Sequence, residues 1–213
     1  MDSHDRIARL LIKWHRNSGT PSPPWRGLRD PYAILVSELL LRRTTREQVA
    51  KVFPQFISKY PNVDSLSRAR RETLLTMLRP LGLANTRVET LIRVARKLKA
   101  ARTFPRSIEQ LKELDGVGDY IASAVLCLGF GLDVPMVDVN AIRVIGRISG
   151  VSDTHSFYRS LRTDTQELNL AILGHAHVIC KVARPKCEEC PVSPHCRYFE
   201  LLGPHRSNAA KQR

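Results

Sequence analysis

No run of roughly 18 or more apolar residues occurs in the sequence, and no basic start leads into an apolar stretch and a small-residue cleavage site. The first absence excludes a membrane-spanning helix of ordinary length. The second excludes a secretory leader, so the expectation is a soluble protein of the cytoplasm. Alternating polar and apolar runs are also missing, as are internal repeats, which leaves an all-α chain. Acidic residues are scarce: 20 Asp and Glu face 34 Lys and Arg, a net charge of +14. That imbalance favours a polyanionic partner, nucleic acid above all, over the rival class of basic membrane-surface proteins. The basic residues are spread along the chain, which suits a folded binding surface better than a disordered arm.

What is present is an ordinary globular content, 43% apolar in 213 residues, enough for one large domain or two small ones. Ile7, Leu10, Leu11 and Trp14 fall on one helical face, and Gly19 is the expected stop. Thr20-Pro21-Ser22-Pro23-Pro24-Trp25 cannot be helical and reads as a linker. Asp30-Pro31 is a cap and first-turn signal for a helix to Leu41, apolar nearly all round and carrying one acid, Glu38. Thr45 and Gln48 form a capping box for an amphipathic helix through Val49, Val52, Phe53 and Phe56. Further helices are predicted at about 69–79, 86–101, 107–114, 139–149 and 164–178, the third opened by Ser107 and Gln110. The tail after Leu202 is polar and is predicted to be disordered.

The stretch Leu114–Arg147 concentrates the chemistry. Gly116-Val117-Gly118 permits a sharp turn between two short helices, because glycine reaches positive φ without strain. The free N–H groups at the start of the second helix make an anion site. Asp138 follows about twenty residues later, flanked by apolar residues in VPMVDVNAIRV, where a carboxylate is costly unless used or paired. Taken alone it is also a good helix N-cap. Cys180, Cys187, Cys190 and Cys196, four thiols within 17 residues, point to one bound metal centre. The residues themselves leave zinc and a [4Fe–4S] cluster both open. Cys127, on the apolar helix after the glycine turn, reads as a small buried side chain.

The glycine turn and its helix, the VD that follows, and C-x6-C-x2-C-x5-C near the end together resemble the helix-hairpin-helix DNA glycosylase superfamily, in its endonuclease III/MutY branch. PPWRGLRDPYAILVSELLLRRTT, the pair GDY and VDVN, and KCEECPVSPHCRYFE most resemble the branch members that act on T:G and U:G mismatches. The resemblance implies a six-helix barrel module over 31–136 and a second helical module from 1–30 and 137–213. It implies an active site in the cleft between them, where double-stranded DNA with a mismatched or damaged base would lie. It also implies that the four cysteines hold a [4Fe–4S] cluster, and that a monovalent cation, K+ or Na+, sits at the hairpin.

Residue by residue, Asp138 matches the family's acid, which stabilises the cationic sugar and orients or deprotonates water. Tyr120 stands where endonuclease III-like members carry a nucleophilic lysine. A phenol is no amine nucleophile, so the resemblance implies a glycosylase without strand cleavage. Glu38 matches the acid that MutY-like members direct at the leaving base. Arg42 and Arg43 follow the central helix where relatives insert a plug into the duplex, Arg43 being the plug. Leu83 matches the wedge beside the orphaned base. Gly116 and Gly118 would bind a phosphate; Asn140 and Lys186 join the DNA-contacting set, with Arg184 and Arg197 beside the cysteine loop. Without the resemblance, Arg42 and Arg43 read as solvated charges and Leu83 as a helix-start contact.

The leading expectation is therefore a monofunctional glycosylase for thymine or uracil opposite guanine, acting as a monomer at the nucleoid, with no protein partner. The rivals are a MutY-like adenine glycosylase, an endonuclease III-like lyase, and a DNA-binding module without catalysis. Against MutY, the sequence ends at Arg213 without the further domain by which fuller members recognise oxidised guanine.

Overall fold

The structure, a computed structural model, describes residues 3–18 and 22–202. Twelve α-helices and no strands occur among the described residues: α1 (Ser3–Asn17), α2 (Pro31–Leu41), α3 (Arg46–Lys59), α4 (Val63–Ser67), α5 (Arg71–Leu78), α6 (Ala84–Ala101), α7 (Ile108–Lys112), α8 (Asp119–Ala124), α9 (Val139–Ser149), α10 (Thr154–Arg159), α11 (Thr165–Val178) and α12 (Arg197–Leu202). None is long and apolar enough to cross a membrane. The predicted stop at Gly19, the linker residues Thr20 and Pro21, and the tail after Leu202 lie outside the described residues.

The chain forms two compact units, one drawn from Pro21–Val134 and the other from Met1–Thr20 with Pro135–Arg213. The described part of the proline-rich stretch, from Ser22 on, thus goes with the middle unit rather than with α1. The reason is Trp25, fully buried with its ring edge-on to Phe53 at 5.5 Å.

The middle unit is built around α2. Asp30 caps it by accepting from the Tyr32 N–H at 2.9 Å, and Pro31 occupies the first turn, where no N–H is needed. Every residue from Tyr32 to Leu40 is buried, as an all-round apolar helix must be. The Thr45 capping box forms as predicted. At Ser107 only half a box forms: its hydroxyl accepts from the Gln110 N–H, while Gln110 Oε1 takes the Arg106 N–H. The apolar helix expected after the glycine turn is α for one and a half turns and then π over Val125–Gly129. That segment packs so closely on the start of α2 that a Cβ on Gly129 would stand 2.6 Å from Pro31 Cα.

The terminal unit packs α1 and α9 on α11, around Ile7, Leu11, Val144, Ile145, Leu168 and Ile172. Buried Asn169 crosses this core, accepting from the Met136 N–H at 3.0 Å and the Tyr158 hydroxyl at 2.8 Å. Burying that amide is tolerable because it is hydrogen-bonded. Gly150, at φ 73°, ends α9 in the left-handed conformation that glycine adopts without strain.

Candidate active site and nucleic-acid interface

In the terminal unit, Asp138 caps α9. Its Oδ1 accepts from the N–H groups of Asn140 (2.9 Å) and Ala141 (2.8 Å), and Oδ2 accepts from Asn140 Nδ2 at 2.7 Å. Asn140 is itself held, because its Oδ1 accepts from Arg143 Nη1 at 3.0 Å. Arg143 also donates to the carbonyls of Cys180 (3.0 Å) and Ala176 (3.3 Å). A half-buried carboxylate with three fixed donors at a helix N-terminus is oriented before any substrate arrives. Capping does not exclude a second use of this carboxylate, which the cap holds in place while leaving it partly exposed.

The cysteines belong to the same unit. Cys180, Cys187, Cys190 and Cys196 line one cavity of about 20 Å3, together with Arg147 and His175. Burial pushes the thiols of Cys187, Cys190 and Cys196 up, Cys190 to about 12, and neighbouring thiols add to this. Polar groups face the sulfurs: His175 Nε2 lies 3.2 Å from Cys190 Sγ, and Arg147 Nη1 lies 3.7 Å from Cys180 Sγ. Four soft donors around one small void, with an imidazole nitrogen and a guanidinium N–H near two of the sulfurs, fit a thiolate-bound group. No three His, Cys, Asp or Glu side chains among the described residues are grouped to hold a single metal ion. Lys186, exposed, pairs with Glu189 at 3.1 Å, a contact worth little in water. The hydrocarbon stem of Arg197 covers Gly150.

The middle unit holds the remaining candidates. Glu38 is 4% exposed on α2, and Tyr120 is half-buried on the first turn of α8. Both act electrostatically on Arg46, a residue the sequence reading did not single out. Desolvation, then Arg26, push the Arg46 guanidinium below its usual range; Glu47, Tyr120 and Glu38 pull it back up. Glu38 and Tyr120 therefore both lie within electrostatic range of Arg46. Nothing in the sequence marks Arg46 out from its many neighbours of the same type, beyond its place just after the Thr45 cap.

The hairpin divides the two glycines. Gly116 has φ +80° and its Cβ position lies 2.3 Å from Arg42 Nη1, so the Arg42 side chain rests on the turn. Gly118 has an ordinary φ of −104°, with open space where a Cβ would be. Only the first glycine is explained by the backbone. Asp119, after the turn, pairs with Lys112 at 2.7 Å, and that hydrogen bond holds its carboxyl below the usual range.

Arg43 (φ 54°) and Leu83 (φ 49°) are both left-handed without being glycine. Each such residue costs on the order of 1–3 kcal/mol and persists only when its surroundings enforce it. Both are exposed, Leu83 by 55%. They line one cavity of about 240 Å3.

An all-α molecule with a glycine hairpin, two strained exposed residues and a net charge of +14 has the makings of a helical nucleic-acid-binding protein. Its family follows from comparison: residues 36–168 match the HhH-GPD superfamily base excision DNA repair proteins, and the chain belongs to that family. It is 38% identical over 211 residues to the thymine-DNA glycosylase of Aeropyrum pernix, covering 92% of this chain and 95% of that one. It is 33% identical to the thymine/uracil-DNA glycosylase of Methanothermobacter thermautotrophicus, over 91% and 93% of the two chains. Among solved structures, a thermostable thymine-DNA glycosylase superposes with a TM-score of 0.85 at 32% identity, over 93% of this chain and 97% of that one.

Proposed function

We propose that the chain is a monofunctional DNA glycosylase that removes thymine or uracil mispaired with guanine from duplex DNA. The observation that carries this reading is the similarity to thymine-DNA glycosylases along more than nine-tenths of both chains.

In this reaction a water oxygen bonds to C1′ as the C1′–N1 bond breaks. The base leaves with the bonding electron pair and takes up a proton. Positive charge grows on the deoxyribose meanwhile, and the oriented Asp138 carboxylate stabilises it and accepts a proton from the water. Tyr120 offers no amine to trap the sugar, so hydrolysis is not followed by strand cleavage. Glu38 contacts the edge of the extruded base. Arg43 fills the space that the base leaves, and Leu83 wedges beside the orphaned guanine. Gly116 and Gly118 present backbone N–H groups to a phosphate together with a monovalent cation, and Arg42, Asn140 and Lys186 add contacts to the backbone. Cys180, Cys187, Cys190 and Cys196 hold a [4Fe–4S] cluster. Its contribution would be structural, closing the chain from Cys180, just after α11, to Cys196, just before α12, into one loop. The enzyme works as a monomer on chromosomal DNA in the cytoplasm.

The test is base release from labelled G:T, G:U, A:G and A:8-oxoguanine duplexes, with and without hot alkali. The expected result is breakage of the G:T and G:U strands only after alkali. Breakage without alkali would make the enzyme a lyase, and release of adenine alone would make it MutY-like. Asp138→Asn is the decisive variant. Asparagine caps a helix about as well as aspartate, so stability should change by less than about 1 kcal/mol. Loss of the charge should slow release by more than about a hundredfold.

A further inference from the structure

Arg87 is 6% exposed in the first turn of α6, and a buried guanidinium without an acidic partner is unusual. All of its bonds go to backbone carbonyls. Nε donates to Gly82 O (2.8 Å), Nη1 to Leu39 O (3.3 Å) and Leu40 O (3.0 Å), and Nη2 to Arg42 O (2.6 Å) and Leu81 O (3.3 Å). A guanidinium has five N–H groups, and all five are used. Two of the acceptors are last-turn carbonyls of α2, which lack partners within their own helix and carry the negative end of its dipole.

The other three acceptors locate the function. Arg42 O immediately precedes Arg43, Gly82 O immediately precedes Leu83, and Leu81 O lies one residue further back. Those are the two exposed, left-handed residues of this region. One rigid, planar fork therefore grips the chain directly before each of them. Strain of this kind survives only where the backbone is held, and here the same side chain holds both places.

We propose that Arg87 is the positioning residue that fixes the spacing of Arg43 and Leu83, and so sets how the plug and the wedge enter the duplex together. The inference rests on the reading of those two side chains given above.

The test compares Arg87→Met, which keeps the stem and removes every donor, with Arg87→Lys, which keeps the charge but offers three donors in no fixed plane. Affinity is measured for three labelled duplexes: guanine opposite 2′-fluorothymidine, which resists hydrolysis; a fully paired A:T control; and 2′-fluorothymidine opposite a tetrahydrofuran abasic analogue. Arg87→Met should lose about tenfold on the mismatch and little on the control, and Arg87→Lys about threefold. Opposite the abasic analogue no guanine needs a wedge, and most of the loss should vanish. With Leu83→Ala added, the double variant should bind the mismatch no more weakly than the weaker single variant, because both act through one element.

Equal losses on all three duplexes, or losses that add in the double variant, would reduce Arg87 to a helix cap and overturn the proposal. A Lys variant with wild-type mismatch affinity would do the same. Should the Met variant not fold, the Lys variant supplies the comparison by itself. Failure of the wild-type protein to release any base would sink the glycosylase reading, yet leave the binding pattern to decide on Arg87.

Discussion

Asn140 donates a 2.7 Å hydrogen bond from Nδ2 to Asp138 Oδ2 while its Oδ1 accepts from Arg143 Nη1 at 3.0 Å. The arginine has no acceptor to offer, so it fixes which way the amide faces and turns the amide nitrogen toward the carboxylate. Asn140→Ala leaves both backbone donors to Asp138 Oδ1 in place and frees Oδ2. Single-turnover base release should then fall by up to about a hundredfold, as for a catalytic group displaced by a fraction of an ångström to an ångström. Duplex affinity should change by less than about threefold. A drop in affinity as large as the drop in rate would instead make Asn140 a direct DNA contact, the role its sequence context suggests.

The two hairpin glycines should respond in opposite ways. Gly116→Ala forces a Cβ onto a residue at φ +80° and displaces Arg42, and should cost about 1–2 kcal/mol in a denaturant titration. Gly118→Ala meets no protein atom, and its backbone conformation suits alanine. It should leave stability unchanged or raise it by about 0.4–1 kcal/mol, because the unfolded chain loses freedom. If the open space above Gly118 receives a phosphate, the same methyl group should weaken duplex binding. Unchanged affinity in a folded Gly118→Ala protein would remove the phosphate from that position.

Much of this was legible in the sequence wherever a local rule and a tertiary need agree. The Asp30-Pro31 start of α2, the Thr45 box, and α9 from Val139 to Ser149 are examples. The short helices α4, α10 and α12 were not, since five or six residues carry no period to detect. The predicted helix at about 69–79 ends at Leu78 and tightens to a 3-10 turn at Arg79–Leu81, where Pro80 removes a donor. Asp138 stood out because it is a lone acid among apolar residues. Arg46 and Arg87 did not, because an arginine is written alike whether exposed or enclosed, and only the fold brings carbonyls to Arg87 and puts Arg46, half-buried, within electrostatic range of Glu38 and Tyr120.

Tyr32 is expected to contribute to the alkaline limit of stability. Its hydroxyl donates to Tyr60 O at 2.8 Å, and burial, then Asp30 and Tyr60, raise it well above the ordinary 10.0 of a phenol. The folded state therefore keeps a proton that the unfolded chain releases. This contribution is complete below pH 10 or so and is lost as pH rises toward the folded-state value. Thermal melts of the wild-type protein should fall steeply above about pH 10. Tyr32→Phe should show a shallower alkaline decline and a cost of about 1 kcal/mol at neutral pH from the lost hydrogen bond. Parallel declines in the two proteins would assign the alkaline transition elsewhere.

The proposed cluster in the cysteine loop can be tested by metal content and by what the loop supports. A [4Fe–4S] cluster requires about four irons and four acid-labile sulfides per chain, whereas a single structural zinc would leave the protein colourless with one metal. Cys190→Ser should lose the iron and the visible absorbance. The Cys180 carbonyl, which accepts from Arg143 Nε at 3.0 Å, sits at the head of the loop. Loosening it frees Arg143, then Asn140, then the second oxygen of Asp138. Base release in Cys190→Ser should therefore fall although no cysteine touches the sugar. Amide exchange should quicken from Cys180 to Leu202 and at the start of α9, with α2, in the other unit, remaining protected. Quickened exchange in α2 to the same extent would mean that the cysteines support the whole fold rather than the aspartate's setting.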